Sequence, residues 1–216
     1  MRSLRLDDIG ASSKRWEVYS RWRPANVGPL KWVWPFKAWG PYREMTPKEL
    51  DNLFAACELH GSRMTVAVTA AWVERDGTLT PYPVKFPEQA MVIKKWADLG
   101  IVEVANHGLT HCVRGQHRPR WLQGNRRWHR EFFPGMSKAE MLERVHAAQT
   151  ILSRWLRKAP MTFVPPGYQF PFELAHPRVI RSALGGLVWH DRDLVAGLRY
   201  WEVFRRERFC MVRDIV

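Results

Sequence analysis

The chain has 216 residues, 46% of them hydrophobic, enough for one domain with a sizeable core. No apolar run approaches the about 20 residues of a membrane span, and the opening MRSLRLDD alternates apolar with polar residues, unlike a secretory signal, so a cytoplasmic protein is expected. A net charge of +13 and a pI near 10.2 attract polyanions without choosing among nucleic acid, an anionic membrane surface and acidic or phosphorylated small substrates, while three widely spaced cysteines (Cys57, Cys112, Cys210) argue against a disulfide framework or a Cys-x-x-Cys zinc pattern.

In chain order, Ser3 to Asp7 read as a strand in which Leu4 and Leu6 alternate with Arg5. Residues 10–45 form a long insert broken by Pro24, Gly28, Pro29, Pro35, Gly40 and Pro41, with a short helix expected in its opening SSKRWEVYSRW. Thr46 and Glu49 make a capping box around Pro47, and Leu50, Leu53, Phe54 and Cys57 share the face of the helix that follows, ended by Gly61. Met64 to Ala70 is apolar enough for a strand buried on both faces. After a turn at Asp76-Gly77, Pro87 to Leu99 reads as a second helix and Ile101 to Ala105 as a strand that runs into Asn106-His107. A second irregular insert covers about 112–136. Ser137 and Glu140 cap the next helix, whose apolar positions are Met141, Val145, Ala148, Leu152 and Trp155. Short strands at 161–164, 187–190 and 209–212, with a helix near 177–184, complete the chain.

Strands alternating with helices predict parallel strands joined by helical crossovers, in a barrel or an open sheet, with sites at the carboxyl ends of the strands. The polar clusters obey this rule. Asp7-Asp8 close the first strand, His107 and His111 follow the third, and Pro165-Pro166-Gly167 and His190-Asp191 follow later ones. Each cluster alone is commonplace, since an Asp pair often caps a turn and a His-x-x-x-His arises by chance. Together, in this order, they converge on one mouth.

Three of these stretches carry a family resemblance. Leu6-Asp7-Asp8-Ile9-Gly10 resembles the first motif of the polysaccharide deacetylase superfamily, carbohydrate esterase family 4; His107-Gly108-Leu109-Thr110-His111 resembles its second, and Val164-Pro165-Pro166-Gly167-Tyr168 is similar to its third. The resemblance implies a single domain over residues 1–216, an α/β fold built as a distorted barrel of about seven parallel strands with the two inserts overhanging the carboxyl-end mouth. It implies one divalent metal, zinc above all with Co²⁺, Mn²⁺ or Ni²⁺ as substitutes, held by Asp8, His107 and His111, and Asp7 as catalytic base. One carboxylate and two neutral imidazoles are a normal zinc set with a coordination position left open. A backbone N–H near Gly167 or Tyr168 is placed to hold the oxyanion.

The sequence also departs from the family. Phe163 and Val164 stand where an arginine usually restrains the catalytic aspartate, Gly108 replaces the usual second-motif hydroxyl residue, and Arg213 occupies the position of the histidine that protonates the leaving amine. His190 is the replacement candidate for that acid.

The first insert carries Trp22, Trp32, Trp34 and Trp39, and the second carries Arg114, Arg118, Arg120, Arg126, Arg127 and Arg130 with Trp121 and Trp128. Aromatic faces stack on pyranose rings and arginine forks bind carboxylates or phosphates. Pro166, Gly167, Tyr168, Trp34, Arg114, Arg118 and Trp121 are accordingly the expected substrate contacts, although the same rings could simply pack the inserts down. The expected activity is N-deacetylation of an anionic or phosphate-linked acylated amino sugar, from a bacterial surface polysaccharide such as lipopolysaccharide or its precursor. Alternatives are a C–N hydrolase with a non-sugar amide substrate and a carbohydrate-binding pseudoenzyme. A nucleic-acid-binding role is favoured by charge alone.

Overall fold

Strand β1 (Leu4–Ile9) opens the chain and leads through a 3₁₀ turn (Ser12–Trp16) into the first insert, where short strands β2 (Tyr19–Ser20) and β3 (Lys37–Trp39) pair antiparallel. Helix α1 (Pro47–Leu59), β4 (Met64–Val68), the hairpin β5 (Ala71–Val73) and β6 (Leu79–Pro81), the short α2 (Tyr82–Lys85), α3 (Pro87–Asp98), β7 (Val102–Asn106) and α4 (Lys138–Leu156) follow. The computed structural model describes residues 4–16, 18–22, 24–25, 28–40, 43–113, 115, 131–133, 136–164 and 166. The expected helix near 177–184 and the strands at 187–190 and 209–212 lie outside them, as does most of the second insert.

The architecture is α/β around a parallel sheet of order β1-β4-β7, in register from Leu4 opposite Met64 and Met64 opposite Val102. The strand expected at 161–164 is reduced to one parallel bridge, Phe163 beside Asn106, flanked by hydrogen bonds from Asn106 N–H to the Thr162 carbonyl and from Val164 N–H to the Asn106 carbonyl. Consecutive strands separated by helices thus stand side by side, as helical crossovers require.

The period-2 pleat sorts the sheet's side chains. Met64, Val66, Val68, Val102 and Val104 face a core that also takes Leu50, Phe54 and Cys57 of α1, Ala90, Ile93 and Trp96 of α3, and Ala148, Leu152 and Leu156 of α4. Phe54 meets Trp96 edge-on at 6.4 Å, and the Trp96 Nε1–H donates to Asp51 at 2.7 Å, which satisfies the indole's polar end. The opposite face carries the small cluster Ala67, Ala105 and Val164, with Glu103 accepting from the hydroxyls of Thr65 and Thr162. Both capping boxes form as expected, at Thr46 with Glu49 and at Ser137 with Glu140. The first insert is more regular than its proline and glycine content predicts, because the Phe36 carbonyl accepts from both the Arg21 N–H and the Ser20 Oγ beside the β2–β3 pair. Cys57 and Cys112 are free thiols. Among the described residues no helix is long and apolar enough to cross a membrane.

Candidate metal centre

The site begins with a break in register. Leu6 lies opposite Val66 but Ile9 opposite Val68, so β1 carries one residue more than its partner over this stretch. This is a β-bulge, and Asp8 within it has a φ of 67°, in the left-handed region that non-glycine residues rarely adopt. Asp7 keeps the strand's alternation and pairs with Arg5 two residues earlier, Oδ2 to Nη2 at 2.6 Å. Asp8 turns instead toward the loop that leaves β7.

That loop is fixed to the end of β4: His107 N–H donates to the Val68 carbonyl, and the carbonyls of Gly108 and Leu109 accept from Ala70 and Ala71. The His107 ring hydrogen-bonds through Nδ1 to the Val164 carbonyl at 2.7 Å. A carbonyl only accepts, so Nδ1 carries a proton, and Nε2 is turned toward Asp8, 3.4 Å from its Oδ1. His111 Nε2 lies 2.9 Å from the same oxygen. Among the described residues neither nitrogen of this fully buried ring has a hydrogen-bond partner. One ligand atom from each of Asp8, His107 and His111 lies within 4.8 Å of the other two.

Burial works to raise the pKa of Asp8, but its contacts with His107 and His111 and the nearby Lys14 ammonium, 3.3 Å from Oδ2, outweigh it and hold the carboxyl well below the usual range. Burial lowers His111 to about 4, against the pull of Asp8. At neutral pH the cluster is therefore an ionised carboxylate facing a neutral His111. This donor set fits a divalent cation: buried acceptor atoms converge, and a bound cation satisfies them together.

Two carboxylates at the site carry no motif. Glu131 is fully buried and accepts from the backbone N–H groups of Leu109, Thr110 and His111. Glu44 accepts from Gly10 N–H through Oε1 at 2.8 Å, while its buried Oε2 has no hydrogen-bond partner among the described residues. Burial raises the Glu44 pKa to about 8; the Gly10 N–H opposes that shift and the charge of Asp8 adds to it. One signal was available for Glu131, which is the sole acidic residue between Glu103 and Glu140 and stands between an arginine-rich run and two phenylalanines.

The structure thus brings Asp8, His107 and His111 together, with Asp7 next to them on β1. Pro166 is buried over the histidine loop, where a Cβ placed on Gly108 would come within 3.0 Å of its Cγ. Trp34 is 82% exposed. His190, Gly167, Tyr168, Arg114, Arg118 and Trp121 lie outside the described residues.

Comparison with solved structures finds likenesses at low identity. IcaB from Ammonifex degensii overlays with a TM-score of 0.40 and 15% identity, over 61% of this chain and 49% of that one. The BpsB deacetylase domain from Bordetella bronchiseptica gives 0.40 and 18% over 63% and 56%, and a de-N-acetylase from Aggregatibacter actinomycetemcomitans 0.38 and 15% over 65% and 56%. Two of the three are deacetylases by name. The chain spans about half the length of these structures. No family model and no curated protein matches it.

Proposed function

We propose that this chain is a metal-dependent hydrolase that removes the acyl group from the nitrogen of an amino sugar, in a bacterial surface polysaccharide or its anionic biosynthetic precursor. The observation that carries the reading is the buried convergence of Asp8, His107 and His111, with a His111 ring that makes no hydrogen bond among the described residues. The reading takes the parallel sheet as one wall of a distorted barrel of about seven strands spanning 1–216, its small-residue face (Ala67, Ala105, Val164) turned inward.

In this reading Asp8, His107 and His111 hold the ion, zinc by preference. A divalent cation there supplies Lewis acidity toward the acyl carbonyl and toward water. Asp7 is the base. Arg5 holds its Oδ2, and the buried Oδ1, which has no hydrogen-bond partner among the described residues, is left to receive the proton of the attacking water. The water oxygen bonds to the acyl carbon as its proton passes to Asp7, and the C–N bond breaks as a second proton, held on His190, goes to the leaving nitrogen; exchange with solvent then removes the proton from Asp7 and restores the one on His190. Backbone N–H groups at Gly167 and Tyr168, bordered by Pro166, steady the oxyanion. Trp34 and Trp121 stack on sugar rings, and Arg114 and Arg118 bind the anionic group.

The test has two parts: metal content of the purified protein, and acetate release from N-acetylated amino-sugar oligomers. Stoichiometric zinc that is lost in Asp8→Ala, with acetate release lost in Asp7→Asn, is the expected result. Zinc content unchanged by Asp8→Ala discards the site. Bound zinc with no acetate release from any acylated saccharide leaves a binding protein.

A further inference from the structure

The two histidines of the cluster are anchored differently. His107 is held by its ring, through Nδ1 to Val164. The His111 ring has no backbone acceptor of that kind among the described residues; it meets Asp8 Oδ1 at 2.9 Å through Nε2, and the backbone that presents it has a φ of 56°, which a residue with a Cβ rarely takes. That backbone is gripped from both sides. Its carbonyl accepts from Ser13 Oγ at 3.3 Å, and its N–H donates to Glu131 Oε2 at 3.2 Å.

Glu131 does more than accept one bond. Its Oε2 also takes the Thr110 N–H and its Oε1 the Leu109 N–H, each at 3.1 Å, so three consecutive amides point at one carboxylate. The room for it exists because residue 108 is glycine: a Cβ there would overlap Oε2 and crowd the carboxyl carbon at 3.3 Å. The sequence departure at Gly108 and the buried acid from the second insert are two halves of one arrangement.

We infer that Glu131 is a positioning residue for the metal centre, fixing the Leu109–His111 backbone so that the His111 ring faces Asp8 and His107. The inference rests on the metal-site reading above. Glutamine in its place puts an amide donor against N–H donors, and aspartate falls one methylene short of the three amides. Outer partners of metal ligands commonly set affinity by about 10- to 100-fold.

Cobalt(II) is the probe, added to metal-free full-length protein, with the Kd measured by chelator competition and the ligand field by visible absorption. Glu131→Gln is expected to bind about 10- to 100-fold more weakly than wild type and to show a shifted d–d spectrum, with far-UV circular dichroism retained. Ser137→Ala, which weakens a remote helix cap, is the control for simple loss of stability and should leave both readouts unchanged. A wild-type Kd and spectrum in Glu131→Gln overturns the inference; if that variant does not fold, the same result in Glu131→Asp does so. Wild-type protein that binds no cobalt rejects the metal site and this inference together, whereas binding indifferent to Glu131 rejects the inference alone.

Discussion

The Nδ1–H of His107 points at the carbonyl of Val164 across 2.7 Å, and this one contact decides which nitrogen the ring offers to Asp8. Val164 belongs to the segment bridged to β7, so the strand end that borders β7 also orients the His107 ring. Nitrogen-15 NMR of metal-free protein should find the neutral His107 ring as the Nδ1–H tautomer, with Nε2 unprotonated. An Nε2–H tautomer would mean that the ring is poised to donate to Asp8 and not to bind a cation.

Metal removal should lower stability by a calculable amount. A ligand that binds only the folded chain at 100 times its Kd adds about 2.7 kcal/mol. Denaturant melts with and without zinc at that ratio should differ by this much in wild type and coincide in His111→Ala. A persistent zinc-dependent shift in the variant would place the ion elsewhere.

Glu44 sets a pH dependence in the metal-free protein. Its folded pKa is raised from 4.5 to about 8, so between those values the folded state holds a proton that the unfolded state has released. Stability contributed by this group therefore falls as pH rises from about 4.5 to about 8. Glu44→Gln should remove that slope, so that the variant gains on wild type steadily across the window. Parallel pH profiles for the two proteins would refute the assignment.

Phe54 is fully buried and anchors α1 against Trp96 of α3. Truncation to alanine removes its transfer energy and leaves a cavity, at a cost of about 3–5 kcal/mol. Chemical denaturation will report it, and a loss under 1 kcal/mol would show that the helix pair can collapse into the space.

What could be read from the sequence was whatever a local pattern encodes. Thr46 with Glu49 and Ser137 with Glu140 announce helix starts, and Met64–Val68 announces a buried strand, because caps and pleats depend on neighbours within a few residues. Asp8, His107 and His111 were legible for a different reason: each lies at or just past the carboxyl end of a strand, and parallel topology carries such ends to one rim. Glu131 and Glu44 were not. Each reaches a backbone N–H remote in sequence, through a contact that no periodicity marks. The β5–β6 hairpin was read only as a turn, since its three-residue strands are too short to alternate visibly. Arg5 was read as the polar step of a strand, and its pairing with Asp7 shows only when the same-face spacing meets a carboxylate.

Two corners of the Asp8–His107–His111 triangle, Asp8 at φ 67° and His111 at φ 56°, are built from a chain shape natural to glycine and asparagine. Such residues sit uphill by about 1–3 kcal/mol each. A laboratory lineage bred for heat resistance alone, with no demand for turnover, should therefore discard these two side chains early, drifting toward Gly or Asn at both positions. In the proposed metal site, ion binding is the first inheritance that durability would erode.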